Sequence, residues 1–279
     1  MLELYHTTCL ESSKLVTQRY STSFSMGIRA FDKEYRMPIY GIYGFVRFAD
    51  EIVDTFHDYD KKLLLEEFRK DTFKAIETGI SLNPILHSFQ LVVNEYRIDS
   101  ELIVAFLDSM EMDLFKSNYE SKDLYEKYIY GSAEVVGLMC LQVFCKEDRT
   151  LYESLIPAAR SLGAAFQKVN FLRDMTSDME ERGRVYFPGI DFNAFGENDK
   201  ESIVADIQKD FDDALEGIKR LPKGARRGVY LAYVYYLQLF KKIKQAPIQR
   251  LLTERIRVND GQKALLYGRT VFQNMLNML

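Results

Sequence analysis

The sequence predicts an all-α fold built as one domain, and three observations carry that expectation. Glycine and proline are scarce, 15 and 6 of 279 residues, which favours long helices over a sheet with many turns. Apolar residues make up 47% of the chain, ample for a sizeable core. Acids recur at helical intervals in two separate stretches, each set among apolar neighbours. No low-complexity segment or linker divides the chain, so residues 1–279 are expected to form a single domain.

The elements follow in order. The start, to about Gln18, reads as a helix. Tyr20 to Ser25 (YSTSFS) is a hydroxyl-rich break, of the kind that caps helices and can also donate to phosphate oxygens. Tyr35 to Phe56 is a long apolar helix with Pro38 in its first turn, where proline is tolerated. The polar FHDYDKK joins it to a helix near Lys62 to Thr78. Pro84 starts a helix to about Tyr96, and Asp99-Ser100 caps one to about Lys116 whose acids Asp108, Glu111 and Asp113 are expected to face solvent. Ser121 to Phe144 is helical. Its Gly131 and Gly137 imply close packing or a bend near a ligand, and its Glu134 needs a partner or a role in so apolar a run. Leu151 to Glu180 is helical, with Pro157 marking a kink or a late start. RGRVYFPGIDFNAFGEN is a loop that places Arg182 and Arg184 beside an acidic stretch. Helices run from about Asp199 to Arg220 and from Gly224 to Lys244, and a final one begins near Gln262.

The acidic stretches hold the chemistry. In QKVNFLRDMTSD, Asn170, Asp174 and Asp178 lie at i, i+4 and i+8, and Gln167 lies one turn earlier on nearly the same face. In YGFVRFADEIVD, Tyr43, Arg47, Asp50 and Asp54 form a second stripe. A surface helix turns its apolar side inward. Here apolar residues surround both polar lines, so the acids are expected to face a cavity. Like charges at that spacing repel, and a hard divalent cation is the natural counter-charge. Mg²⁺ takes oxygen ligands, keeps several waters and is usually completed by substrate phosphates, which two facing D-x-x-x-D helices would suit. The competing account, two acidic surface helices, would show no Mg²⁺-dependent diphosphate binding.

Other features exclude classes. A net charge of −4 argues against nucleic acid as a partner. Cys9, Cys140 and Cys145 have neither metal nor disulfide spacing and are expected to be core thiols in a reducing cytosol. MLELYHTTCLESSK contains no long apolar stretch, so no secretory signal is expected. The longest apolar runs are about a dozen residues, short of the roughly 20 that span a bilayer. A soluble protein is expected.

LGAAFQKVNFLRDMTSDMEERGRVYFP resembles the second signature of the squalene and phytoene synthase family, the head-to-head prenyl transferases, through Leu162-Gly163, Gln167, Asn170, Arg173-Asp174, Asp178, Arg184, Tyr186 and Pro188. RFADEIVD is similar to the family's first acidic motif, YSTSFS to the segment before it, and the resemblance extends from about Tyr20 to Arg257. It implies an isoprenoid-synthase-type helical bundle around a central cavity. It implies that Asp50, Asp54, Asn170, Asp174 and Asp178 bind two or three Mg²⁺ ions, with Mn²⁺ as a substitute, and diphosphate. Arg47, Arg173 and Arg255 would hold diphosphate oxygens, Tyr20 and Ser23 would touch substrate, and Tyr43, Tyr130, Gln167 and Tyr236 would line the reaction centre. Tyr20 stands where members often have histidine and Thr22 where many have a basic residue, so one phosphate contact is expected to be rearranged. Glu134 replaces a small residue, and either narrows the cavity or adds a carboxylate to it.

The reaction implied is condensation of two geranylgeranyl diphosphates to phytoene, as in bacterial carotenoid synthesis, without NADPH. Squalene or dehydrosqualene formation from farnesyl diphosphate is the runner-up, and a non-catalytic assembly factor of the same fold the remote alternative. A cytoplasmic place is expected, with peripheral contact at the inner membrane face for release of a lipid product. The sequence does not fix the oligomeric state.

Overall fold

A computed structural model describes residues 1–115, 119, 121–146, 148–182, 186–190, 194–259, 261, 262, 266 and 268, without the side chains of 181 and 182. The side chain of Arg182, all of Arg184 and most of the expected last helix lie outside the described residues. Among those described there is no strand. The helices are α1 (Leu2–Tyr20), α2 (Thr22–Arg29), α3 (Lys33–Asp54), α4 (Lys61–Thr78), α5 (Pro84–Tyr96), α6 (Ser100–Phe115), α7 (Lys122–Ile129), α8 (Val135–Cys145), α9 (Arg149–Arg182), α10 (Glu197–Arg220), α11 (Lys223–Gln245) and α12 (Ile248–Leu251).

Local chemistry sets many of these bounds. Asn83 Oδ1 accepts the Ile85 N–H at 3.0 Å, and Pro84 opens α5 where its missing N–H costs nothing. Asp60 accepts the Leu63 N–H and caps α4, which ends on Gly79 at φ 70°. The expected break at Tyr20 to Ser25 shrinks to a single residue. Ser21 alone is extended, and its Oγ accepts the Phe24 N–H at 3.2 Å to start α2. The long apolar helix begins at Lys33, earlier than expected, so Pro38 stands inside it rather than in its first turn. α9 runs through Pro157 from Arg149, neither starting nor ending there.

α7 and α8 form one rod, Lys122–Cys145, joined by a π turn over Tyr130–Glu134. Gly131 explains its position. A Cβ there would stand 2.5 Å from the Ala105 carbonyl oxygen and 2.7 Å from Ser109 Cβ, so only glycine lets the rod lie this close to α6. At 24 residues the rod is long and apolar enough to cross a membrane, beyond the dozen-residue runs counted from the sequence. Here it packs among α3, α6 and α9 at the centre of the bundle.

The core falls into two halves. One gathers the apolar faces of α3 to α6 and α8 around Phe45, Phe89 and Phe106. The other gathers α7 and α9 to α11 around Phe171, Phe211 and Phe240. α3 and α9 both pack on α8 yet make little contact with each other. The space between them is the cavity. Cys9 and Cys145 are buried free thiols, and Cys140 faces the cavity.

Candidate active site

The cavity has a volume of about 710 Å³. α3 forms one wall, contributing Ile39, Tyr43, Arg47, Asp50 and Asp54 in succession. α9 forms the opposite wall, with Leu155, Leu162, Gln167, Asn170, Asp174 and Asp178. On both helices the polar residues lie toward the C-terminal end, so the cavity has a carboxylate end and an apolar end. The pattern of the two acidic stripes, apolar residues around a polar line, is thereby explained: both lines face the same interior space.

The two acidic walls differ in their partners. On α9, Arg173 Nε donates to Asp174 Oδ1 at 2.8 Å, and Arg255 Nε, from the segment after α12, reaches the same oxygen at 2.7 Å. Arg173 Nη2 also pairs with the other oxygen. On α3, the Arg47 guanidinium pairs with Glu51 and stays 4.0 Å from Asp50. It lies 4.5 Å over the Tyr20 ring, and its Nε is buried with no hydrogen-bond partner. Burial pushes the Asp50 carboxyl up to about 7. The charge of Asp54 adds to the rise, Arg47 opposes it, and Asp113 and Glu51 push the same way as Asp54.

Aromatic groups complete the lining. Tyr236 donates its hydroxyl to Asn170 Oδ1 at 3.3 Å and stacks on Phe166 at 3.9 Å. Burial raises the Tyr43 phenol to about 12, so it stays protonated at neutral pH. Gln167 Nε2 donates to Ser132 Oγ at 3.3 Å across to the π turn.

Most of the expected site residues therefore meet in one place: Tyr20, Tyr43, Arg47, Asp50, Asp54, Gln167, Asn170, Arg173, Asp174, Asp178, Tyr236 and Arg255 all line the cavity. Tyr130 and Ser23 do not. The Tyr130 ring lies under the Arg160 guanidinium, 5.1 Å away, and Tyr128 faces the cavity instead. Tyr130, expected there from the family resemblance, opens the π turn that joins α7 to α8, where the regular helical period changes. Ser23 sits one turn off the cavity wall, in a small recess with Met26 and Tyr235. Glu134 also points away from the cavity and pairs with Arg160.

One acid was misplaced from the sequence. Asp108 and Glu111 face outward toward Arg69, as expected, but Asp113 lines the cavity. It accepts the Tyr128 hydroxyl at 3.0 Å and the Tyr119 hydroxyl at 3.4 Å. Nothing in the spacing of Asp108, Glu111 and Asp113 sets the last apart in the sequence.

The donor set fits Mg²⁺. Four carboxylates and an amide oxygen are hard ligands on facing walls. Among the described residues, no three carboxylate, imidazole or thiol groups converge on one point. An ion held there would have to keep waters or take phosphate oxygens to complete its shell. The buried, unpartnered Arg47 Nε–H is a donor that a phosphate oxygen would satisfy.

Comparison with known proteins shows the family and the fold. Residues 17–262 match the family model described as squalene/phytoene synthase. Phytoene synthase 1, chloroplastic, of Solanum lycopersicum is 27% identical over 268 residues, covering 90% of this chain and 64% of its own length. The chloroplastic phytoene synthase of Daucus carota is 29% identical over 282 residues, covering 92% and 69%. The chain thus spans about two thirds of the length of such relatives. A crystal structure of a dehydrosqualene synthase in complex with ligand superposes with a TM-score of 0.83 at 20% identity, covering 98% of each chain. The squalene synthase structure from Alicyclobacillus acidocaldarius gives 0.76 at 19% identity, over 87% of this chain and 95% of its own. The fold is that of the isoprenoid synthases.

Proposed function

The chain belongs to the squalene/phytoene synthase family, whose members are prenyl transferases acting on prenyl diphosphates, and on that premise we propose that it joins two geranylgeranyl diphosphates head to head into phytoene. The observation that carries the reading is the pair of facing acidic stripes at one end of a deep apolar cavity. The carboxylate end suits the diphosphates and the apolar end their chains. The curated relatives named phytoene synthases support the longer substrate.

Bound Mg²⁺ would supply electrostatic stabilisation of the leaving diphosphate. Asp50 and Asp54 on one wall and Asn170, Asp174 and Asp178 on the other would hold it. Arg47, Arg173 and Arg255 present planar forks to diphosphate oxygens. Arg173 and Arg255 must then exchange the Asp174 carboxylate for phosphate. In the first substrate the bond from the allylic carbon to the diphosphate oxygen breaks, and the electron pair leaves with the diphosphate. The double bond of the second substrate attacks the allylic cation, and loss of a proton closes a cyclopropane. The walls formed by Tyr43, Phe166 and Tyr236 keep out water that would quench the cation. Loss of the second diphosphate and a further proton gives phytoene, with no hydride needed. A place in the cytoplasm, with peripheral contact to the inner membrane face for product release, belongs to the same reading.

Product analysis decides it. Purified protein with Mg²⁺ is expected to prefer geranylgeranyl over farnesyl diphosphate and to gain nothing from NADPH. Squalene formed from farnesyl diphosphate, and only with NADPH, would overturn the phytoene assignment.

A further inference from the structure

At the end of the cavity away from the acids, part of the wall is a turn rather than a helix. α2 ends at Arg29, and Ala30, Phe31 and Asp32 lead into α3. This turn is clamped. The Asp32 N–H donates to the Gly224 carbonyl at 3.0 Å, Arg227 Nε donates to the Ala30 carbonyl at 2.7 Å, and Arg36 Nε donates to the Phe31 carbonyl at 2.8 Å. With its backbone held on both sides, Phe31 has little freedom to retreat. Its ring, 6% exposed, lies 5.1 Å from the Phe144 ring and rests directly on Gly228 of α11.

Gly228 is what makes room for that ring. A Cβ at Gly228 would stand 2.3 Å from two of the ring carbons of Phe31. One turn earlier, a Cβ at Gly224 would stand 2.5 Å from the Asp32 carboxylate. Glycine weakens a helix relative to alanine, so two in one face of α11 mark where that helix has to approach the turn. Phe31, Gly228 and Phe144 all line the cavity, as do Ile39 and Leu155 from the apolar ends of α3 and α9. At the helical rise per residue, Ile39 lies about 16 Å along α3 from Asp50. A chain whose diphosphate is held at the acids would therefore run its far end toward this ring.

We propose that Phe31, seated on Gly228, is the stop that sets the longest prenyl chain the cavity accepts. The inference rests on the reading of the chain as a prenyl transferase. A chain that ends short of the ring buries its whole length, whereas one that overruns it has to displace a side chain whose backbone is clamped. Opposite substitutions should act in opposite directions. Phe31→Ala removes the stop and lengthens the cavity. Gly228→Ala forces the ring off its seat and into the space the chain needs.

The test uses the full chain with Mg²⁺ and mixtures of farnesyl, geranylgeranyl and geranylfarnesyl diphosphates, reading the ratios of kcat/KM. Binding of the unreactive thio-analogues of the same three lengths, followed by thermal shift, gives a readout that needs no turnover. Phe31→Ala is expected to move both readouts at least tenfold toward geranylfarnesyl, with Phe31→Leu in between. Gly228→Ala is expected to move them at least tenfold toward farnesyl, and if that variant does not fold, the graded Phe31 pair decides alone. A wild type that binds and condenses these substrates, with Phe31 variants at wild-type ratios, overturns the inference and leaves the function standing. A wild type that neither binds nor condenses any of them overturns both.

Discussion

The acidic stripe of α3 and that of α9 share a spacing, D-x-x-x-D, and a cavity, yet they stand in different electrostatic states. Asp174 is held by Arg173 and Arg255, with 17% of its side chain exposed. Asp50 has no such clamp: Arg47 has turned to Glu51, and the Asp50 carboxyl is pushed up to about 7 by burial and by Asp54. On one wall the carboxylate is held closely by two guanidiniums. On the other the guanidinium stands 4.0 Å off, and the Asp50 carboxyl keeps its proton to a higher pH. A repeated motif thus stands in two different charge environments.

The largest expected effect tests what the walls share. Asp50→Asn or Asp174→Asn should lower turnover at least about a hundredfold, a loss of roughly 3 kcal/mol of transition-state stabilisation. Near-normal turnover in either would sink the metal assignment. The same pair tests what the walls do not share. Without Mg²⁺, Asp50→Asn should raise thermal stability, because it removes a carboxylate that is costly to ionise. Asp174→Asn should lower it, because Arg173, with 19% of its side chain exposed, loses its counter-charge. Equal shifts in both melting curves would mean that the walls are alike after all.

Next in size is the choice between two tyrosines. Tyr128→Phe removes a hydroxyl that meets Asp113 at the cavity and should lower turnover tenfold or more. Tyr130→Phe keeps its ring under Arg160 and should leave turnover within about twofold. The reverse ranking would restore Tyr130 to the reaction centre.

These contrasts mark what the sequence could and could not reveal. Helix positions followed from apolar spacing and from local signals such as Pro84 and the Asp99-Ser100 cap. The two acidic stripes were legible because a 3.6-residue period puts i, i+4 and i+8 on one face. Tyr128 was not, because the resemblance pointed to Tyr130, and the π turn that begins there interrupts the regular period along the rod. Asp113 was hidden among Asp108 and Glu111, and only the fold separates an acid meeting Tyr128 from those meeting Arg69. The Arg173 clamp joins neighbouring residues that a helix does not turn toward each other, so no spacing rule foretells it.

A pH experiment sharpens the difference between the walls at smaller scale. Asp50 has its carboxyl raised from 3.8 to about 7 in the fold, so the native state keeps a proton that the unfolded chain has lost. Its stabilising contribution is therefore complete below pH 4 and is lost as pH rises through 7. Its side chain is 35% exposed, so solvent screening leaves on the order of 1 kcal/mol across that window. Melts of the metal-free protein at pH 5 and 8 should show this slope, and Asp50→Asn should flatten it. Mg²⁺ affinity should run the other way, falling as pH drops below about 7, because the ion and the proton compete for one carboxylate. A pH-independent affinity would place the ion elsewhere.

The smallest effect belongs to Glu134, whose carboxylate could be argued from the sequence either into the cavity or away from it. The structure turns it to the far side of the α8–α9 contact, paired with Arg160. Gly163 fixes that contact: its Cβ would stand 2.9 Å from Glu134 Cα, so the backbones are too close for the side chain to swing through. Burial raises the Glu134 carboxyl, while the hydrogen bond and charge of Arg160 lower it. Arg160 is 49% exposed and stays hydrated if its partner is neutralised. Glu134→Gln should therefore change stability by less than about 1 kcal/mol and turnover by less than twofold. Thermal melts and steady-state rates check both halves. A tenfold loss of turnover with an unchanged melt would mean that the carboxylate acts on the substrate, and that the π turn opens the cavity farther than its lining residues indicate.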